Sequence, residues 1–315
     1  MMDFFAALTA FTTVVERGAF ARAARELGQS TSSLTRQVDA LEERLGTVLL
    51  NRSTRRLTLT DAGAAYHEQA LRILADLEEA NRGVAGGDGP PAGTLRVSLP
   101  VAFAQMHVSP LLPDFLRDHP AIRLELMLTD EPVDLVGQRV DVAIRIGALD
   151  ASSLVARKLA PLRRIACASP AYLAARGLPE EPADLARHDC CCFAYGHGGR
   201  VWRFGRDGDE RIVPVSGPVR ANNSMLLRDA ALAGMGVILM PSWLVGADIE
   251  AGRLTPLLPG WTADPGAGSG SGGGAGGGGI HALYLPSRKG SRTVRAFVDF
   301  LLARFGSPPH WDRSA

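Results

Sequence analysis

Over the first quarter of the chain, apolar residues recur with the period of an α-helix, and single glycines break the pattern. Phe4, Leu8, Phe11 and Val15 share one face, and Gly18 interrupts the run. A second short helix is predicted over "AFARAAREL", with Phe20, Ala23, Ala24 and Leu27 on one side. After a turn at Gly28 and Gln29, Leu34, Val38, Leu41 and Leu45 recur at i, i+4, i+7 and i+11, and Gly46 ends the run. Helix, short glycine turn and helix is a helix-turn-helix pattern, in which Ala23 and Ala24 permit close approach of the second and third helices.

The third helix opens on four consecutive hydroxyl residues, Ser30, Thr31, Ser32 and Ser33, followed by Thr35 and Arg36. Ser30 or Thr31 can cap the helix by accepting a bond from an amide of its first turn. Once Leu34, Val38 and Leu41 are buried, Ser32, Ser33, Thr35, Arg36 and Asp39 lie mostly on the opposite face. Such a face can meet base edges and phosphates; the plain alternative is a capped helix with a solvated side. The next segment, "NRSTRRLTLTDAG", clusters Arg52, Arg55 and Arg56 beside "RLTLT", a short strand by its alternation. A basic turn next to a strand suits phosphate contacts.

Asp61 caps a further helix. Along it Tyr66, Ala70, Ile73, Leu77, Ala80 and Val84 are spaced by 4, 3, 4, 3 and 4 residues, and Leu71 and Leu74 widen the seam. So broad an apolar face predicts a partner helix, either in its own chain or in a second copy.

"GGDGPPAG", residues 86–93, reads as a linker. Beyond it, strand and helix patterns alternate: "TLRVSLP" a strand, "SPLLPDFLRDHP" a helix, "IRLELML" a strand, "VDLVGQRV" a helix, "DVAIRIG" a strand. This alternation predicts a parallel sheet with helices on both faces. "RRIACASPAYLAARG" starts a second such unit. "NNSMLLRDAALAGMGVILMPSWL" reads as an Asn-capped helix, a turn, a buried strand and another helix. "IHALYLPS" is a last strand and "TVRAFVDFLLARF" a terminal amphipathic helix; "SPPHWDRSA" looks like a disordered tail. Residues 266–279, "GAGSGSGGGAGGGG", contain GxGxxG at Gly268, Gly270 and Gly273. No strand runs straight into that pattern and no helix follows, so it is a flexible loop and not a dinucleotide site.

A chain of 315 residues has room for two or three domains, and 46% apolar with 21% charged residues is ordinary for a globular protein. The formal net charge of +1 makes any nucleic-acid binding a local affair. Lys158 and Lys289 are the only lysines, so nearly every cation is arginine. No run is long enough to span a membrane, and Asp3 stands where an export signal carries positive charge, so a cytoplasmic location is expected. Cys167 and the consecutive Cys190, Cys191 and Cys192 fit neither a disulfide framework nor a zinc site and are expected to be reduced packing residues. GxSxG, P-loop, HExxH and CxxC motifs are absent. His107, His119, His188 and His197 are scattered, and Asp130 with Glu131 suits a solvated strand end. No catalysis, cofactor or metal is expected.

The run "GAFARAARELGQSTSSLTRQVDALEERLGTVLLNRSTRRLTLTDAG" strongly resembles the LysR-type transcriptional regulators. The matching frame is Gly18, Phe20, Ala23, Ala24, Leu27, Ser30, Leu41, Glu42, Leu45, Gly46, Leu49, Arg52, Arg55, Leu59, Thr60, Ala62 and Gly63. The resemblance continues through "GTLRVSLP", "VDVAIRIG", "CASPAYLAARG", "ALAGMGVILMP" and "VRAFVDFL", almost to residue 305. It implies a winged helix-turn-helix DNA-binding head at 1–61, a linker and dimerisation helix at 62–86 and a hinge at 87–92. An effector-binding domain at 93–305 is similar to periplasmic binding proteins: two α/β lobes, 93–163 with 286–305 and 164–285, joined by crossings near 164–168 and 281–285. Residues 306–315 remain as the tail. By position, an effector cleft would include Pro100, Val101, Ala102, Phe103, Thr129, Ile146, Gly147, Asn222, Asn223 and Pro241.

The implied partners are double-stranded DNA at an interrupted palindrome and a small-molecule effector. A second copy in a homodimer, a homotetramer as the family expectation, and RNA polymerase as a further candidate complete them. Three features depart from the family pattern. Relatives often carry Ser or Thr near 100–102, where a hydroxyl helps hold an anion, and here Pro100 and Ala102 stand. The glycine-rich loop looks like an insertion, and Leu50 occupies a place commonly held by Phe. The alternatives are a solute-binding protein or an enzyme built on the α/β lobes without DNA reading; neither uses residues 1–63.

Overall fold

The computed structural model describes residues 3–52, 57–84, 90–149, 151–194, 201–263 and 278–312. The chain divides into two compact units, Met1–Gly89 and Pro90–Ala315. In the first, α1 (Phe4–Arg17), α2 (Phe20–Glu26) and α3 (Thr31–Leu45) close over Leu8, Phe11, Ala23, Ala24, Leu34, Val38 and Leu41. Asp3 starts α1 by accepting the Phe5 and Ala6 amides, each at 3.1 Å. Gly46 ends α3 at φ 66°, a left-handed conformation that side chains resist. Leu45, expected on the buried stripe, is exposed in the last turn of α3, which runs past the core.

β1 (Leu50–Arg52) and β2 (Leu57–Leu59) form an antiparallel ribbon in which Leu50 faces Leu59. Glu42 on α3 ties this ribbon down, because its Oε1 accepts the Leu49 and Leu50 amides at 2.7 and 2.9 Å. Thr60 then donates to the Val48 carbonyl at 2.7 Å and accepts the Gly63 amide at 2.9 Å, setting the start of α4 (Asp61–Val84). With 24 residues, α4 is about 36 Å long.

In the second unit β3 (Gly93–Leu99) is the middle of a parallel trio with β4 (Ile122–Leu128) and β5 (Val142–Gly147). The crossover from β3 to β4 runs through α5 (Val101–Phe103), a π turn (Ala104–Val108), a 3-10 turn (Ser109–Leu111) and α6 (Leu112–Asp118). After β6 (Val155–Pro161) the chain enters a second lobe. There β7 (Arg164–Ala168) is followed by α7 (Pro170–Arg176), β8 (Cys192–Phe193), the hairpin β9 (Val201–Arg206) and β10 (Asp209–Pro214), and β11 (Arg220–Ala221). The lobe ends with α8 (Ser224–Leu232), β12 (Ile238–Pro241), α9 (Ser242–Glu250), β13 (Thr255–Pro256) and β14 (Thr262–Ala263). Strand β7 lies between β12 and β13, β9 lies between β10 and β14, and β8 pairs β11. Finally β15 (Gly279–Tyr284) returns to the first sheet, and α10 (Arg292–Phe305) packs Phe297, Leu301 and Phe305 against it.

Four expectations change. First, the sheet is mixed, in the order β4-β3-β5-β15-β6, because the returning β15 inserts between β5 and β6 antiparallel to both. Second, residues 279–284 therefore belong to the first lobe's sheet and not to a crossing at 281–285. Third, "VDLVGQRV" is a run of turns, not a helix. The Asp134 carboxylate accepts the Val136 amide at 3.0 Å, a side-chain turn that competes with helix, and Leu135 and Val140 anchor the segment beside Ala143. Fourth, the segment expected to be a disordered tail packs on the core through Trp311. Trp311 packs on His107 and Phe305, with ring centroids 4.6 and 5.1 Å apart. A tryptophan offers more than enough apolar area to hold a short segment against a core. The glycines at 268, 270 and 273 fall outside the described residues.

Candidate functional site

On the first unit, the buried stripe of α3 fixes what its other side presents. Leu34, Val38 and Leu41 are fully buried, while Thr31, Ser32, Arg36 and Asp39 face solvent and Ser33 and Thr35 are half-buried. The hydroxyl run divides its labour. Ser30 is the cap, its Oγ accepting the Ser33 amide at 3.1 Å. Thr35 donates to the Thr31 carbonyl at 2.9 Å, and Ser33 to Gln29 Oε1 at 3.3 Å. The Arg36 guanidinium lies back along the helix toward the Ser32 carbonyl, at 3.4 Å. The result is a helix end carrying short hydroxyls and one guanidinium, with its first turn already capped. Arg52 sits in β1; Arg55 and Arg56 lie outside the described residues.

The seam of α4 divides in two. Tyr66 packs on Phe11, with ring centroids 5.9 Å apart, and Ala70 is fully buried against the same unit. Further along, Leu71 and Ile73 are 39% and 40% exposed. Leu77 is half-buried, and the side chains of Ala80 and Val84 are outside the described set.

In the second unit a cavity of about 240 Å³ opens at the carboxyl ends of β3, β4 and β5, where ligands of open α/β sheets collect. Of the residues expected there, Pro100, Ala102, Thr129, Ile146 and Pro241 line it. The other five do not. Phe103 is a core residue packed on Trp243 and Phe305. Asn223 caps α8, accepting the Leu226 amide at 3.0 Å, and it is the next residue, Ser224, that reaches the cavity. Gly147 and Asn222 stand outside the wall, and Val101 contributes its amide elsewhere: it donates to Asp130 Oδ1 at 3.1 Å.

The rest of the lining was not read from the sequence: Asp130, Arg145, Arg164, Cys191, Phe193, Trp202, Leu239, Met240 and Trp243. Arg145 did leave a trace, as the one charge inside the otherwise apolar "VAIRIG". Its guanidinium donates to the Ile144 carbonyl at 2.8 Å, to Ser98 Oγ at 3.2 Å and to the Glu131 carbonyl at 3.3 Å. Burial pulls its pKa below the usual arginine range, and Asp130 opposes that shift. Cys191 is part of the lining, but burial, then the neighbouring Cys192 and Asp189, push its thiol up to about 11, so it stays protonated. Cys167 is pushed up to about 12 and Cys190 higher still, as expected of packing residues.

Behind the cavity wall, His107 joins the second lobe to the C-terminal segment. Its Nε2 donates to the Trp243 carbonyl at 2.9 Å, since a carbonyl can only accept. Its Nδ1 is thereby an acceptor and takes the proton of His310 Nε2 at 3.3 Å. No helix among the described residues is long and apolar enough to cross a membrane.

Comparison with known proteins agrees with both units. Residues 5–64 match the family described as bacterial regulatory helix-turn-helix protein, lysR family, and residues 88–306 match the LysR substrate binding domain. The chain is 39% identical over 308 residues to the HTH-type transcriptional regulator PtxR of Pseudomonas aeruginosa, covering 96% of this chain and 93% of that protein. It is 35% identical to the regulator CrgA of Neisseria meningitidis serogroup C, over 95% of this chain and 96% of that one. The solved structure of CrgA superposes with a TM-score of 0.57, covering 94% of this chain and 97% of that chain at 34% identity. Full-length AphB, a virulence activator of Vibrio cholerae, superposes at 0.56 with 28% identity, over 94% and 98% of the two chains. The relatives matched over both units are named as transcriptional regulators, which does not favour a solute-binding protein or an enzyme without DNA reading. The chain therefore belongs to the LysR family: it is a transcriptional regulator with a helix-turn-helix DNA-binding domain followed by an effector-binding domain.

Proposed function

We propose that the protein binds an interrupted palindromic promoter site as a homodimer, or as a pair of dimers. Ser30, Thr31, Ser32, Ser33, Thr35 and Arg36 would face the bases, and Arg52, Arg55 and Arg56 the phosphates. The observation that carries the reading is the division of α3. Its apolar stripe is fully buried, and its capped end leaves hydroxyls and the Arg36 guanidinium in solvent. The exposed Leu71 and Ile73 on α4 support pairing of two copies through that helix, which sets two reading heads on two half-sites. A small molecule in the cavity biases the arrangement of the lobes or of the oligomer, and with it the spacing or bend of the DNA. RNA polymerase is the partner through which such a shift reaches transcription. The protein works in the cytoplasm by binding, not by turnover.

The test is to incubate the purified protein with fragmented DNA of its source genome at near-physiological salt and sequence what it retains. A few sites sharing an interrupted inverted repeat are expected. Uniform retention across the genome would sink the reading.

A further inference from the structure

The chemistry of the cavity wall narrows the effector, on the reading just given that the cavity holds one. The resemblance raises the expectation of an anion held by hydroxyls and amides just after β3. Here the protein itself takes up part of that place. Asp130 Oδ1 already accepts the Val101 amide, Pro100 has no amide to donate, and neither Pro100 nor Ala102 has a hydroxyl. A second carboxylate placed there meets a negative charge.

Positive charge comes from two other elements. Arg145 on β5 and Arg164 at the start of β7 both line the cavity. The hydrogen bonds of Arg145 run to two carbonyls and one hydroxyl, all neutral oxygens, so its guanidinium is held in place without being neutralised by contact. Desolvation makes such a cation costly by itself and favours an anionic partner. Arg164 adds a second guanidinium to the same lining, which holds one carboxylate, Asp130.

Most of the remaining wall is apolar and broad. Phe193, Trp202 and Trp243 bring three aromatic side chains, with Ile146 and Leu239 between them. Flat rings stack or pack edge-on against such surfaces. The volume, about 240 Å³, is below the roughly 300–1,000 Å³ typical of sites for drug-sized molecules.

We propose that the cavity takes a small ring-bearing monocarboxylate, its carboxylate held by Arg145 and Arg164 and its ring by Phe193, Trp202 and Trp243. Amines meet the Arg145 guanidinium, and aliphatic acids of the same size forgo the ring contacts.

Calorimetric titration of the full-length protein with benzoate and indole-3-carboxylate, against benzamide, indole-3-carboxamide and benzylamine, tests this. At least one ring carboxylate binds, its amide binds at least about tenfold more weakly, and the amine does not bind. Arg145→Gln weakens carboxylate binding by about tenfold or more. Asp130→Asn keeps an acceptor for the Val101 amide but removes the opposing charge, so it tightens carboxylate binding even if the arginine variant folds poorly. Amides binding as well as acids, no carboxylate binding at all, or an Asp130→Asn protein with unchanged or weaker affinity overturns the assignment. DNA footprints on the same samples separate the two readings. A carboxylate that binds without altering the footprint leaves the site standing and removes its regulatory role. A footprint shifted only by neutral or cationic metabolites keeps the regulator and removes the carboxylate.

Discussion

A methyl group on Gly63 would sit 2.0 Å from the Leu49 carbonyl oxygen, a backbone atom that cannot swing aside. The same few atoms join α3, the β1–β2 ribbon and α4 through Glu42 and Thr60. Gly63→Ala should therefore destabilise the first unit by about 1–3 kcal/mol, the usual cost of overpacking, and lower its melting temperature by several degrees. A thermal melt matching the parent protein would show that the joint relaxes freely. Glu42, Thr60 and Gly63 all stood in the family pattern, yet nothing in their identities said why. Their reasons are hydrogen bonds and a clearance across as many as 14 residues of sequence, which no local pattern contains. Arginine roles are separable at this scale as well. Arg36→Ala should reduce specific DNA affinity more than non-specific affinity. Arg55→Ala should weaken both and flatten the salt dependence by about one unit, if it neutralises one phosphate. Equal losses on all sequences for both variants would reverse the assignment.

At the scale of elements, α4 serves two masters along its length. Tyr66 and Ala70 face the first unit's own core, so the six-residue seam is not one continuous surface for a partner. What remains for a second copy begins at Leu71 and Ile73. Replacing Ile73 and Leu77 with Asp should convert dimers to monomers in sedimentation, with the head still folded by circular dichroism. An unchanged mass would mean that the copies pair elsewhere. The helical stripes were legible because period and burial agree over several turns, as at Leu34, Val38 and Leu41. Residues 133–140 misled because a short apolar run with one side-chain turn at Asp134 looks helical by spacing alone. The antiparallel place of β15 was hidden for another reason. Strand direction is decided by where a distant segment re-enters the sheet, here between β5 and β6, and by nothing within "IHALYLPS". Likewise the cavity's charges come from strands and turns far apart in the chain. Arg145 and Asp130 become neighbours of one ligand space only after the fold assembles.

For the whole molecule, four histidines share a direction. Burial lowers the pKa of His67, His107, His188 and His281 below the ordinary value of 6.5. In the unfolded chain each takes a proton near 6.5, whereas the folded protein resists it until lower pH. The unfolded state thus binds more protons across that window, and stability rises with pH. It is complete above about pH 7.5 and lost as the pH falls through 6.5 toward the lower folded values. Urea midpoints at pH 7.5 and 5.5, followed by tryptophan fluorescence, should show the drop; equal midpoints would contradict it. Among them, His107 links α9 to the C-terminal segment through Trp243 and His310. That segment has a practical meaning for genetics. Trp311 packs on Phe103 and His107, and both of those contact Trp243, an inner wall of the ligand space. A premature stop codon after Gly306 is then no harmless trim at the end of a gene. It would remove a ring that stands two side chains away from the proposed ligand space.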